Sequence, residues 1–126
     1  MDYRELFRQA FRRPMMFGLD GSFAGATAFV NGCDAGNAWR LLDGFSEWLA
    51  VGLGHGQNLS WQALILRHAL PDGPWGSPIA KLDNRRNGLA VNALFDLLNE
   101  FLEFRDENGL AVIFARYFEM FDIGHR

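Results

Sequence analysis

Few residues in this chain of 126 have the side-chain chemistry for catalysis, and they are scattered along it. His55 lies in the glycine-rich segment GLGHGQN, where an imidazole could act as a general base, and Cys33 precedes Asp34 in NGCDAGN. A general base needs a nucleophile or a substrate proton within hydrogen-bond reach, and usually a carboxylate that orients it. The sequence places no such set next to either residue. We therefore expect His55 on a surface loop and Cys33 as a small packed side chain.

Signatures of metal, cofactor and nucleotide chemistry are absent from the sequence. His68 and His125 lack the spacing of metal ligands, and no Cys/His cluster suits zinc. The run FGLDGSFAG contains glycines, but no Lys followed by Ser or Thr completes a phosphate-binding loop. The sequence predicts a protein that is not an enzyme and that uses no cofactor or metal.

An acidic row is the most informative charge pattern in the chain. It consists of Asp96, Glu100, Glu103 and Glu107, which follow helical spacing. At ~100° per residue these four positions spread over only about 60° of one helix face. Like charges at i, i+4 cost about 0.2 to 0.5 kcal/mol per pair in an isolated helix, so the row carries a small local penalty unless a cation faces it.

Three interpretations of the acidic row stay open at this point. In the first, the row is a solvated helix face, as most charge rows are. In the second, it pairs with a second row of Arg4, Arg8 and Arg12, either within the chain or in a dimer. In the third, it is a docking surface for a basic protein, where complementary charge raises the rate and specificity of association.

Trp75 is the aromatic residue that falls outside the helical patterns, in the segment PDGPWGSP. An exposed tryptophan is a candidate for a binding interface because such rings dominate interface hot spots. The competing interpretation is a lid in which the same ring packs over the core. Most other aromatic residues fall on apolar helix faces without an interleaved basic patch, which favours core packing over base stacking.

Apolar residues at intervals of three and four predict an all-α fold, an orthogonal bundle of five or six helices. Pro14 ends the first helix, Asp20 or Ser22 caps the second, and Ser60 caps the fourth, which stops at Pro71. The expected helices cover residues 3–13, 23–31, 38–53, 61–70, 89–106 and 110–122.

A proline-rich segment, residues 71–88, is the expected long connection because it holds three of the four prolines. It is too short to separate two domains, so we expect one domain over residues 1–126. A hydrophobic fraction of 49% supplies enough apolar material for its core.

Charge and cysteine content limit the partners and the compartment. The net charge of −3 argues against nucleic-acid binding, since phosphate contacts demand a surplus of Lys and Arg. The single cysteine cannot form an internal disulfide, which fits the cytoplasm. No apolar stretch resembles a secretory signal or approaches the ~18 residues of a membrane span, so we expect no membrane partner.

A run rich in Met, Phe and Gly, residues 12–32, is predicted to serve packing rather than ligand binding. Met15, Met16 and Phe17 are available for burial in the core. Gly21 and Gly25, one helical turn apart, would allow a neighbouring backbone to approach closely.

Five apolar segments follow one another over most of the chain, in the order RRPMMFGLDG, AFVNG, FSEWL, NLSWQALIL and ALFDLLNEFLE. This order resembles a group of small bacterial proteins associated with immunity against polymorphic or contact-dependent toxins. That group has an Arg-Pro-x-Met-Tyr-x-Gly-like motif, a Phe-x-x-Gly helix, a Phe-x-x-Trp element and a Trp-centred helix. Phe17 replaces the usual tyrosine, and the matching residues are Arg13, Pro14, Met16, Phe17, Gly18, Phe29, Gly32, Phe45, Trp48 and Trp61.

The resemblance implies an immunity protein that binds and neutralises a cognate bacterial toxin by stoichiometric protein–protein interaction. On this hypothesis the acidic row faces a basic toxin, such as a nuclease domain, and Trp75 is an apolar anchor. The alternative is a self-associating structural or regulatory helical protein, a homodimer in which the arginine row of one copy meets the acidic row of another. A hydrolase that uses His55 or Cys33 is a third, more remote hypothesis.

Overall fold

The structure, a computed structural model, describes residues 1–73, 75 and 81–121, and over these residues it contains six α-helices and no β-strand. A short 3₁₀ turn, Pro14–Phe17, follows the first helix. The predicted all-α bundle is confirmed. The helices are α1 (Tyr3–Arg12), α2 (Phe23–Gly36), α3 (Phe45–Leu53), α4 (Trp61–Ala69), α5 (Asn84–Asn108) and α6 (Leu110–Phe121).

Four of the helices begin at a side chain that accepts a hydrogen bond from the first turn. Asp2, Ser22, Ser60 and Asp83 cap α1, α2, α4 and α5 in that order. Such caps satisfy backbone N–H groups that have no partner inside the helix. Ser60 is the predicted cap of α4. Of the two candidates for α2, Ser22 is the cap, and Asp20 accepts a hydrogen bond from its hydroxyl at 2.6 Å.

The segment between α2 and α3 differs from the sequence prediction at both ends. α2 continues through NGCDAG to Gly36, whereas the expected third helix starts only at Phe45 instead of residue 38. Ala38 and Trp39 have φ angles of 56° and 62°, which a right-handed helix does not permit. The buried Asp34 carboxylate accepts a hydrogen bond from the Leu42 backbone N–H at 3.1 Å and stabilises the turn instead.

Arg105 fastens this same turn to α5. Its Nη1 donates hydrogen bonds to the backbone carbonyl oxygens of Leu41 and Asp43, each at 2.9 Å. The Arg40 carbonyl oxygen accepts a longer bond of 3.4 Å from the same nitrogen. The start of α3 is therefore set by a side chain more than sixty positions further along the chain.

α5 is longer than the pattern predicts, with 25 residues that begin at Asn84 rather than at Leu89. Its first turn is held by Asn87, whose Oδ1 accepts from the Phe23 backbone N–H at 2.8 Å and whose Nδ2 donates to the Leu82 carbonyl at 2.9 Å. The predicted long connection, residues 71–88, therefore ends before Asn84. Neither α5 nor any other described helix is both long and apolar enough to cross a membrane.

α5 is the centre of the fold because it packs against all five other helices. Towards α1 and α2 its Phe95 ring lies 6.1 Å from Phe7, which in turn lies 6.2 Å from Phe29, measured between ring centroids. Towards α3 its Phe101 ring lies 4.9 Å from Phe45. One connected hydrophobic core thus surrounds α5 over the part of the chain that the structure describes.

The methionine-rich run is packed differently from the prediction. Phe17 is half-buried, with its ring 5.8 Å from Phe29, but Met15 and Met16 are 88% and 72% exposed. The 3₁₀ turn directs Phe17 inward and leaves the two preceding side chains outside. A Cβ on Gly25 would meet the Ser22 and Asp20 side chains at 3.0 and 3.1 Å, so Gly25 makes room for the helix cap and not for a neighbouring helix.

Candidate functional site

The acidic row lies on the solvent side of α5, where all four carboxylates are exposed. Glu103 forms a salt bridge with Arg4 of α1, with 3.1 Å between Oε2 and Nη2. Asp96, Glu100 and Glu107 take part in no salt bridge within residues 1–73, 75 and 81–121. Three of the four carboxylates are therefore available to a partner.

The arginine row meets the acidic row at one point, the Arg4 contact. Arg8 pairs instead with Glu5 of its own helix, at 2.8 Å. Hydrogen bonds from Gln9 and Arg8 lower the pKa of Glu5 below its usual value. Arg12 forms no salt bridge with any described residue. The predicted pairing of the two rows within one chain is therefore realised at a single contact.

A cavity of about 340 Å³ opens beside the acidic row, between α3, α4, α5 and α6. Protein interiors seldom leave voids larger than a water molecule, so an opening of this size is available to a ligand or a partner side chain. Its volume lies near the lower end of the range of about 300 to 1,000 Å³ that ligand pockets occupy. The apolar wall consists of Trp48, Val51, Leu97, Phe104 and Ile113.

Three polar side chains complete the lining of the cavity. Glu100 belongs both to the cavity and to the acidic row. The Arg116 guanidinium lies over the Phe104 ring, 4.8 Å from its centroid, and forms no salt bridge with the described residues. His68 Nε2 lies 3.3 Å from the Leu49 carbonyl oxygen. The lining thus combines an apolar surface with a carboxylate and a guanidinium.

Trp75 lies beside the end of α4 and does not line the cavity. Its indole Nε1 donates a hydrogen bond to the Leu70 carbonyl at 2.8 Å, and the Arg67 guanidinium covers the ring 4.0 Å from the centroid. The residue is still 41% exposed. The ring is therefore fixed in one orientation with part of its surface open to solvent, and its role as a binding anchor stays a prediction.

His55 and Cys33, the two residues considered for catalysis, do not line the cavity. His55 is exposed in the segment after α3, while His125 lies outside the described residues. Cys33 is half-buried in α2, and burial raises the pKa of its thiol, which lowers the reactive thiolate fraction at neutral pH. Within the described part of the chain, no cluster of three or more His, Cys, Asp or Glu residues could hold a metal ion.

Sequence reasoning missed the cavity and most of its lining. Trp48, Leu97 and Phe104 follow the helical spacing of core residues, so nothing in their pattern separates a cavity wall from a filled core. Arg116 gave the one available signal, as the single cation in the mostly apolar α6 sequence LAVIFARYFEMF.

A scan against protein-family models found no match, and searches of curated proteins and of solved structures found none either. The resemblance to toxin-immunity proteins therefore stays a prediction. The acidic row and the cavity that it borders through Glu100 form the candidate binding surface.

Proposed function

We propose that this protein acts by binding another protein, and that the partner is a bacterial toxin that it neutralises as an immunity protein. The binding is stoichiometric, takes place in the cytoplasm, and involves neither catalysis nor a cofactor. The resemblance in the sequence supports the choice of a toxin. The geometry of the acidic row supports the choice of a binding surface.

One observation carries the proposal: Glu100 is shared by the acidic row and the apolar cavity. An apolar recess bordered by charged groups is the arrangement that protein interfaces use, with a buried anchor at the centre and a polar rim around it. Asp96 and Glu107 extend the same negative face along α5. A partner segment that carries an apolar side chain between basic residues matches both parts at once.

The proposed mode of action is occlusion of a basic surface on the toxin. Lys or Arg side chains of the toxin lie along the acidic row while one apolar side chain enters the cavity. A basic nuclease domain has the surface charge that this mode requires, because it must bind phosphates itself. Trp75, already held by Leu70 and Arg67, supplies a second contact at the end of α4.

The charge part of the proposal is tested by neutralising the three unpaired carboxylates. The triple variant Asp96→Asn, Glu100→Gln, Glu107→Gln should slow association with the toxins encoded beside its own gene by at least about tenfold at low salt, because steering depends on local charge. Raising the salt concentration should shrink the difference, since salt screens such interactions.

A matched control variant loses three carboxylates outside the acidic row, so its net charge equals that of the first triple variant. Asp43, Asp72 and Asp106 are exposed carboxylates outside the acidic row. If the triple variant Asp43→Asn, Asp72→Asn, Asp106→Asn slows association equally, the acidic row is not the docking surface.

The cavity part of the proposal is tested by filling the cavity. Gly52 borders it, and a Cβ there would point at His68, 3.6 Å from Cε1. Gly52→Leu should weaken toxin binding and growth rescue without loss of stability. The matched control is Gly32→Leu, since Gly32 is an exposed helical glycine with nothing within 4 Å of its Cβ. Equal binding by both variants would exclude the cavity from the interface.

A further inference from the structure

An exposed apolar tip lies at the end of α1, on the turn that was expected to be buried. Met15 and Met16 are 88% and 72% exposed, and Phe11 is 44% exposed in the last turn of α1. Adjacent apolar side chains with this exposure are not the normal scatter of surface hydrophobics. We name Phe11, Arg12, Arg13, Met15 and Met16 the arginine–methionine tip.

The turn that carries the two methionines is anchored on both sides. Leu19 is buried, and its backbone N–H donates to the Pro14 carbonyl at 2.9 Å. The Gly18 N–H donates to the Met15 carbonyl at 3.3 Å, and the Met16 N–H donates to the Arg13 carbonyl at 3.1 Å. The tip therefore projects from a turn whose backbone polar groups are largely satisfied, which lowers the cost of entering an apolar phase.

The charge around the tip is positive. Arg12 and Arg13 are exposed, and neither forms a salt bridge within the described part of the chain. The nearest carboxylates along the chain are Glu5, which pairs with Arg8, and Asp20, which accepts hydrogen bonds from the Ser22 hydroxyl and backbone N–H. These bonds lower the pKa of Asp20, which stays ionised, while Arg8 balances the charge of Glu5, so the two exposed arginines outnumber Asp20.

The start of α5 adds to the same end of the molecule. The contacts Arg4 to Glu103 and Phe11 to Phe95 show that α1 runs antiparallel to α5. Arg85 is exposed in the first turn of α5, and Leu89 is 39% exposed one turn later. The acidic row begins at Asp96, next to Phe95, and extends away from the tip along the other half of α5.

We propose that the arginine–methionine tip docks peripherally on an anionic phospholipid surface, with the two methionines in the interface and the arginines at the phosphates. Amphipathic elements bind membranes in this way without spanning them. The sequence-based expectation of no membrane partner depends on the absence of a segment that could span a membrane. Peripheral contact with a lipid surface requires no such segment.

The shape of the tip favours lipid over a protein partner. A protein would need a recess matched to two protruding, flexible methionines, and holding both in single rotamers costs conformational entropy. A fluid interface accepts a convex apolar tip in many side-chain conformations. The adjacent arginines match lipid phosphates in charge, and each basic residue near an anionic surface strengthens binding by about fivefold.

The proposal is tested by co-sedimentation of the full chain with vesicles of phosphatidylglycerol and phosphatidylcholine, and with vesicles of phosphatidylcholine alone. The unaltered protein should bind the anionic vesicles at low salt and release at high salt. Arg12→Gln with Arg13→Gln should weaken this binding by about 25-fold, and Met15→Ser with Met16→Ser should weaken it by at least about tenfold. Met15→Leu with Met16→Leu should restore it.

Two controls alter the same residue types elsewhere on the surface. Met120, in α6, is 49% exposed, and the Arg40 side chain is exposed in the turn before α3. Met120→Ser and Arg40→Gln should leave vesicle binding unchanged. No binding to anionic vesicles, equal binding to phosphatidylcholine, or equal loss in the controls would overturn the proposal. Self-association that disappears with the tip variants would also overturn it, in favour of a second copy as the partner.

Discussion

The apolar recesses that border the two sides of α5 differ in size. On the α1 and α2 side, where the rings of Phe7, Phe29 and Phe95 meet, the cavity bordered by Phe95 has a volume of about 70 Å³. On the α3, α4 and α6 side, the cavity lined by Trp48 and Leu97 has about 340 Å³. One helix thus borders a small apolar recess beside α1 and α2 and a larger one beside α3, α4 and α6.

This difference separates stability from recognition within a small fold. Fully buried aromatic residues such as Phe7 contribute mainly to folding, because their contacts are complete in the isolated chain. Half-buried residues such as Trp48 and Leu97 keep surface that a partner can cover. Substitutions at fully buried residues such as Phe7 should therefore change unfolding, and those at half-buried cavity residues such as Leu97 should change binding.

The largest expected change in the free energy of unfolding is that caused by a substitution at Phe7. Phe7→Ala should lower the free energy of unfolding by about 3 to 5 kcal/mol, because a buried ring is removed from filled surroundings. Leu97→Ala, at the half-buried cavity wall, should cost less than about 2 kcal/mol. Urea denaturation of both variants measures the difference. Equal losses would mean that the two sides of α5 are equally well packed.

A smaller loss of stability is expected from a substitution at Gly44, where an added Cβ would meet α6 closely. Gly44 has φ +86°, and a Cβ there would lie 2.6 Å from Leu110 Cδ1 of α6. Gly54 has φ +80° but nothing within 4 Å, so Gly54→Ala carries only the backbone strain. Gly44→Ala should be less stable than Gly54→Ala by about 1 kcal/mol, the lower end of the usual cost of overpacking, because the end of the Leu110 side chain must shift. Thermal unfolding that is alike in both variants would contradict the close contact.

The salt bridge between Arg4 and Glu103, which joins α1 to α5, should contribute little to the free energy of unfolding. Its side chains are 34% and 53% exposed, and exposed pairs are worth about 0 to 1 kcal/mol. Glu103→Gln should therefore lower stability by less than about 1 kcal/mol at low salt, and by less still at high salt. Chemical denaturation at two salt concentrations gives the result, and a loss that does not depend on salt would indicate a structural role beyond charge.

The smallest expected effect is the acid sensitivity of Asp20. Hydrogen bonds from Ser22 hold the pKa of Asp20 below its ordinary value of 3.8. Because the pKa of Asp20 is lower in the folded state, the unfolded chain binds the proton more readily than the folded chain does. The stabilisation by Asp20 is therefore present above pH 4 and is lost as the pH falls through the folded-state pKa. Asp20→Asn should flatten the pH dependence of the urea midpoint in that range. An unchanged profile would show that Asp20 contributes nothing.

Local signals in the sequence predicted much of the fold. Ser22 and Ser60 lie at helix starts because their hydroxyls accept backbone hydrogen bonds from the next turn, which is a property of a few adjacent residues. The four members of the acidic row share one exposed face of α5 because helical spacing alone decides which side chains lie on the same face. Such features need no knowledge of what packs against the helix.

Other features depend on contacts between distant positions and could not be predicted. The turn after α2 is held by Asp34 and by Arg105, which is 64 positions away from Leu41. The exposure of Met15 follows from the inward direction of Phe17 in the same turn. The cavity is a gap left between four helices that contact one another, and helical periodicity reports which residues face inward but not how far away the facing helix lies.

The Arg105 contact has a consequence for how the turn before α3 tolerates change. All three oxygen atoms that accept from its guanidinium belong to backbone carbonyls, those of Arg40, Leu41 and Asp43. Any L-amino acid supplies the same carbonyl, so the side chains at positions 40 and 43 can be exchanged while the attachment to α5 remains. This turn is a place where the surface chemistry of the protein can diversify, by evolution or by design, without loss of the fold that carries it.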